Sequence, residues 1–294
     1  MRIFLTGATG FIGFKLAQEL LEGGHQVLGL TRSEKGAHDL TKAGIEPHRG
    51  DLEDLNSLRS GAAVCDGVIH TGFDHNFSNY VANCHKDQKV IEALGTELVG
   101  SSRPLVVTSS TLMGENTPEG LADEDSLNLL HPNPRVICEV AISALVERGV
   151  NISTVRLSQI HDTYRQGLVT FLIEHAARAG RVAYIEDGTN RWSATHVSDA
   201  VRLFRLAIEK QNTGARYHAT AEEGISLRAI SETISRRLRL PVISISAEEA
   251  SAHFGWLSGF VGKSMIAASD KTRMRLGWNS VGPSLLTDIE QLRL

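Results

Sequence analysis

Gly7, Gly10 and Gly13 carry a spacing suited to one chemical task, holding a pyrophosphate. One glycine permits a tight turn, a second lets the backbone approach the phosphates, and a third lets a helix pack close to a sheet. Phe11 and Ile12 lie inside the same turn and belong to the expected dinucleotide contact. Glycines so spaced also make ordinary turns, so the flanks matter. Ile3 to Thr6 is an apolar run fit for a buried strand, and Leu16, Ala17, Leu20 and Leu21 follow at helical spacing. Strand, turn and helix N-terminus together present free N–H groups to an anion. A second chemical position follows the strand-like run 26–31. Folds selective for NAD commonly place an acid there, whereas this chain has Arg32 and Ser33. A guanidinium forms parallel charge-assisted hydrogen bonds with a 2′-phosphate, which points to NADP(H) rather than NAD(H). Ser33 is then a phosphate donor and Lys35 a weaker electrostatic aid; an unliganded surface arginine is the alternative. A third is the hydroxyl run Thr108 to Thr111, whose plainest role is to cap or turn the chain.

The elements that must position these groups alternate along the first half. Strand-like runs occur at 3–6, 26–31, 67–71, 105–109 and 152–157, with helical patterns at 14–21, 81–98 and 138–148. This predicts an α/β fold, a Rossmann-type doubly wound parallel sheet covered by helices on both faces. Ligands of such sheets gather at the carboxyl ends of the strands, so Gly7, Thr31, His70 and Ser109 belong to one mouth. Residues 1–160 form mainly the dinucleotide-binding domain. Residues 161–294 form mainly a smaller, discontinuous substrate lobe, with segments returning to the first domain. The stretch 254–260, with Phe254, Trp256 and Phe260, is expected to be a packed loop or the mouth of an apolar pocket.

Composition narrows the function classes. The chain has 294 residues, 41% hydrophobic and 22% charged, with a formal charge of -4, which gives no general attraction to nucleic acid. No apolar stretch reaches the roughly 20 residues needed to span a bilayer. A strand beginning directly after Met1 leaves no room for a signal peptide, and a cytoplasmic location is expected. Cys65, Cys84 and Cys138 lack the paired spacing of a metal or redox centre, and the twelve histidines form no zinc signature.

Taken together, Gly7-Ala-Thr-Gly-Phe-Ile-Gly13, Asp51-Leu52, Val68-Ile-His-Thr-Gly-Phe73, Val107 to Gly114, Arg156 and Arg191 to Asp199 resemble the extended or atypical branch of the short-chain dehydrogenase/reductase superfamily, particularly its NAD-dependent epimerase/dehydratase group. The resemblance covers nearly the whole chain. It implies that Asp51 and Leu52 meet the adenine ring, although Asp51 is also a good helix cap. It implies that the backbone at His70, Thr71 and Gly72 lines the nicotinamide or ribose path, His70 otherwise satisfying a strand-end hydrogen bond. Ser109 matches the catalytic Ser/Thr, Asn83 a structural Asn, and His196 with Asp199 a motif tying the second lobe to the sheet. Long helices at 81–98 and 136–148 imply a possible homodimer.

The same resemblance exposes a gap. The family's Tyr, which exchanges the substrate proton, and its Lys four residues later fall on His131 and Arg135, within Leu130-His-Pro-Asn-Pro-Arg135. His131 is capable of acid–base chemistry near neutral pH, whereas Arg135 supplies charge and hydrogen bonds to a ribose or phosphate but does not readily exchange a proton. Pro132 and Pro134 disturb helical spacing, so the two need not share a face. Tyr80, Tyr164, Tyr184 and Trp192 are other polar aromatics, of which Tyr164 is the best placed as a reserve donor. The expectation is NADPH-dependent reduction of a small aldehyde or ketone. The alternatives are an NADP(H)-responsive binding or regulatory protein without turnover, and a nucleotide-sugar epimerase or dehydratase.

Overall fold

Apolar β-runs alternating with amphipathic helices leave each strand two faces to bury, and a parallel sheet between helical layers satisfies both. A computed structural model describes residues 1–293. The first half runs β1 (Arg2–Thr6), α1 (Phe11–Glu22), β2 (Gln26–Thr31), α2 (Glu34–Lys42), β3 (Glu46–Arg49), α3 (Leu55–Ala63), β4 (Gly67–His70), α4 (Tyr80–Leu98), β5 (Leu105–Ser110), α5 (Val136–Glu147) and β6 (Ile152–Leu157). The second half runs β7 (Gln159–His161), α6 (Leu168–Ala179), β8 (Val182–Ile185), β9 (Arg191–His196), α7 (Val197–Lys210), β10 (Arg216–Ala219), β11 (Glu222–Ser226), α8 (Leu227–Leu238), β12 (Val242–Ile245), α9 (Ala247–Phe254), α10 (Ser258–Val261), α11 (Asp270–Leu276) and α12 (Leu285–Glu290).

Seven strands form one parallel sheet in the order β10-β6-β5-β4-β1-β2-β3. The order reverses direction at β1 and β4, which creates the crevice where a dinucleotide fits. One face buries Leu16, Ala17 and Leu20 of α1 with Leu203, Phe204 and Ala207 of α7. The other buries Leu58 of α3, Ile91 and Leu94 of α4, and Ile142 and Leu145 of α5. Full burial of each such Leu or Ile contributes about 1.5–3 kcal/mol.

Two main-sheet strands went unseen in the sequence. β3, Glu-Pro-His-Arg, is an edge strand bonded only to β2 on one side, so it carries polar residues and tolerates a proline. β10 lies far along the chain and returns to the sheet beside β6. The smaller lobe gathers β11-β9-β7 and β12-β8 around its own core of Val169, Leu172, Trp192, Ile230 and Phe254. Residues 254–260, expected to be a packed loop or a pocket mouth, run from the end of α9 through one short helical turn into α10, and Phe260 lines a large cleft. No helix among the described residues is long and apolar enough to cross a membrane.

Candidate active site

The glycine turn is forced by contacts that exclude side chains. Gly7 has φ +71°, and a Cβ there would sit 2.8 Å from the Gly72 nitrogen. A Cβ on Gly13 would come within 2.1 Å of the Gly7 carbonyl oxygen. The Gly10 N–H donates to that carbonyl at 2.8 Å, and Gly10 then caps α1. Thr6 braces the opposite wall: its hydroxyl accepts from the Gly72 N–H at 3.2 Å, and its carbonyl accepts from the Thr71 hydroxyl at 2.8 Å. Backbone is thereby left bare at the end of β1 and directly after β4.

From this turn a cleft of about 1020 Å³ runs between the main sheet and the smaller lobe. Gly7, Gly10, Phe11, Ile12 and Gly13 line it at one end, with Arg32, Asp51 and Leu52 beside them. His70, Thr71 and Gly72 line its middle; Ser109, Arg135 and Tyr164 lie further along. The structure therefore brings most of the sequence-derived candidates onto one surface. Bare backbone at Gly7 and Gly72, together with a cleft of this size, fits a dinucleotide.

At the ribose end, Arg32 is largely exposed and its guanidinium stands 3.8 Å from the Asp51 carboxylate. Such an exposed pair is worth about 0–1 kcal/mol, so the arginine is readily drawn to a phosphate. Asp51 accepts from the Glu53 N–H, and the cap of α3 is Asp54 instead. The Ser33 hydroxyl accepts from the Gly36 N–H, capping α2, which leaves its O–H free to donate; the residue lies outside the cleft lining. Arg49, hidden in the unpredicted β3, donates to the Arg32 carbonyl.

Beneath the middle of the cleft lies a buried polar network. The His70 ring bonds the Thr6 hydroxyl at 2.6 Å and the Asp87 carboxylate at 2.8 Å, so its side chain is structural while its backbone faces the cleft. Asp87 also meets Arg135 at 3.3 Å and accepts from the Cys138 thiol. Burial opposes ionisation of Asp87, but Arg135, His70 and Cys138 outweigh it and hold the carboxyl below its ordinary value. Arg135 donates to the Thr108 carbonyl at 3.1 Å and stacks 4.2 Å above the Phe73 ring. Asp87 is marked in the sequence only by its position four residues after Asn83, which sets both on one helix face. Asn83 itself donates to the carbonyls of Asp74 and Asn76, tying down the loop before α4.

Ser109 projects from β5 and is 3% exposed, and its hydroxyl has no hydrogen-bond partner. A buried hydroxyl left unsatisfied costs about 1–3 kcal/mol, and this one belongs to a residue that lines the cleft.

Of the two expected proton donors, His131 lies outside the cleft lining and Tyr164 stands at its rim. α5 begins only at Val136, because Pro132 and Pro134 keep the preceding segment out of the helix, so His131 and Arg135 do not share a helical face. The His131 ring bonds Glu115 at 3.0 Å and accepts from the Asn133 N–H, outside the residues lining the cleft. Tyr164 stands at the rim, 58% exposed, where its hydroxyl accepts from Arg293 at 2.8 Å. Trp192 is buried with its N–H on the Lys263 carbonyl, and Tyr184 lies under Arg228. Of the four polar aromatics, Tyr80 and Tyr164 line the cleft. Beyond Tyr80, aromatic rings from both lobes close the far end: Phe77 stacks on Trp256 at 4.9 Å, and Phe171 packs edge-on against both.

His196 caps α7, and buried Asp199 accepts from the N–H groups of Val281 and Gly282, fastening the C-terminal segment to the sheet. Arg156 pairs with Glu139 at 2.8 Å, both fully buried, which fixes α5 against β6.

An uncharacterized protein of Schizosaccharomyces pombe is 46% identical to this chain over 290 residues, covering 98% of each. A 2-alkyl-3-oxoalkanoate reductase of Stenotrophomonas maltophilia is 30% identical over 73% of this chain and 67% of its own. Among solved structures, a dTDP-glucose 4,6-dehydratase of Streptomyces venezuelae with NAD bound superposes with a TM-score of 0.79 at 16% identity, covering 99% of this chain and 95% of that one, a likeness of fold. The model of the NAD dependent epimerase/dehydratase family matches residues 3–220. With its seven-stranded sheet and bare glycine turn, the chain belongs to this family, within the extended short-chain dehydrogenase/reductase superfamily.

Proposed function

We propose that this protein reduces a small aldehyde or ketone with NADPH. The observation that carries the reading is Ser109: a buried, unpartnered hydroxyl in the same cleft as the glycine cradle, at the place where a carbonyl oxygen would find a donor. The glycine turn, Thr71 and Gly72 would hold the dinucleotide, with Arg32 on its 2′-phosphate. Reduced nicotinamide, when bound, supplies hydride for the carbonyl carbon. Ser109 then donates a hydrogen bond to the oxygen as negative charge builds there. Buried Arg135 adds positive charge to the same region. The Stenotrophomonas reductase, and a ketoreductase of Stigmatella aurantiaca 26% identical to this chain, support a reductase over a sugar-modifying enzyme.

A second reading, NADP(H)-dependent binding without turnover, is favoured by the engagement of the His131 ring with Glu115 and by the exposure of Tyr164 at the rim of the cleft. Hydride-transfer assays across diverse carbonyls separate the two: NADPH consumption supports the reductase, whereas tight NADPH binding with no conversion supports the binding protein. For cofactor choice, Arg32→Glu should weaken NADPH by about tenfold to 100-fold, through lost charge-assisted bonds and added repulsion, and leave NADH little changed. Calorimetry on both proteins checks this; unchanged NADPH affinity removes Arg32 from the role.

A further inference from the structure

We propose that Tyr80, at the first position of α4, is the proton donor of this site and replaces the tyrosine missing before α5. The proposal rests on the reductase reading above. Three observations place the phenol. Tyr80 lines the same cleft as Ser109 and Arg135. Its hydroxyl donates to the Asn133 side-chain oxygen at 2.9 Å, and that oxygen also accepts from the Arg135 backbone N–H at 3.0 Å. A single acceptor therefore joins the phenol to the segment from which the family would supply both tyrosine and lysine. Finally, the Phe73 ring lies between them, 6.2 Å from the Tyr80 ring and 4.2 Å from the Arg135 guanidinium.

The electrostatics hold the phenol in its protonated form. Burial pushes the Tyr80 phenol up to about 12, with neighbouring Cys84 adding to the rise, while Arg135 and the Asn133 hydrogen bond pull the other way. The group stays protonated at neutral pH, and Arg135 stands near to stabilise the phenolate left after transfer. Asp74, His75 and Lys86 also line the cleft; His75 is held below its ordinary value by burial and by the charge of Arg135, which favours its neutral form. As the carbonyl carbon gains hydride, its π pair passes to oxygen. The Tyr80 O–H turns from the Asn133 oxygen to the substrate oxygen, its O–H bond breaks as the new O–H bond forms, and water reprotonates the phenolate.

Tyr80→Phe keeps the ring packing and leaves Asn133 bonded to Arg135, so the fold should persist, as NADPH affinity within about twofold of wild type would show. With NADPH and 4-nitrobenzaldehyde, kcat should fall by about 100-fold or more. A turnover-free readout is calorimetric binding of benzamide, a carbonyl that is not reduced, to the NADPH-loaded protein; losing one hydrogen bond should weaken it by roughly fivefold to tenfold. A Tyr80→Phe protein that reduces the aldehyde as fast as wild type, or binds benzamide equally well, overturns the assignment while the reductase reading stands. A wild type that reduces no carbonyl overturns both.

Discussion

The glycine cradle after β1 and the shoulder before α5 face each other across one cleft, yet one is made of backbone and the other of side chains. In the cradle, Gly7, Gly13 and Gly72 approach so closely that an added Cβ would lie at or within about 3.1 Å of a neighbour, so the residue type is dictated locally. In the shoulder, Arg135 is placed by Asp87 of α4, Thr108 of β5 and the Phe73 ring, three elements remote in sequence. A backbone site tolerates almost no substitution but says little about reaction. A side-chain site assembled from several elements leaves room for its members to be exchanged.

Breaking the shoulder should cost most in stability. Asp87→Asn removes the anion facing buried Arg135 and should lower the unfolding free energy by about 3–5 kcal/mol. Because the folded-state value of Asp87 is depressed, its contribution is present above the unfolded carboxyl value and is lost as pH falls through the folded one. Urea midpoints should therefore differ widely between wild type and variant near about pH 7 and converge toward about pH 3; a constant gap would contradict the charge network. Breaking the cradle should cost function with the fold less affected. Gly13→Val should weaken NADPH roughly 100-fold, the equivalent of the ~3 kcal/mol that overpacking a tight site costs, by fluorescence titration. At the small end, His131→Ala should leave turnover within about threefold of wild type, since the ring faces Glu115; a loss comparable to that expected for Ser109 would return His131 to the reaction.

The same contrast explains what the sequence disclosed. The strand–glycine–helix start, five of the seven main-sheet strands and most cradle residues were legible because they depend on local spacing. β3 was not, since a polar edge strand with Pro47 has no apolar pattern to read. Ser33 lay at the right place in the chain, and its hydroxyl also serves the N-terminus of α2. The break that Pro132 and Pro134 announce was legible, and the helix does begin only at Val136. Asp87, Asn133 and the Phe77–Trp256 stack were invisible because each gains meaning only from a partner brought close by folding.

The central claim is that cofactor grip resides in the cradle and reaction in the side chains opposite. Parallel measurement of NADPH affinity and of NADPH-dependent carbonyl reduction in wild type and Ser109→Ala tests it most directly. The account predicts an unchanged NADPH dissociation constant with turnover lowered about 100-fold, as expected when a donor to a developing oxyanion is removed. Equal turnover in the two proteins, or a parallel loss of NADPH binding, would contradict it.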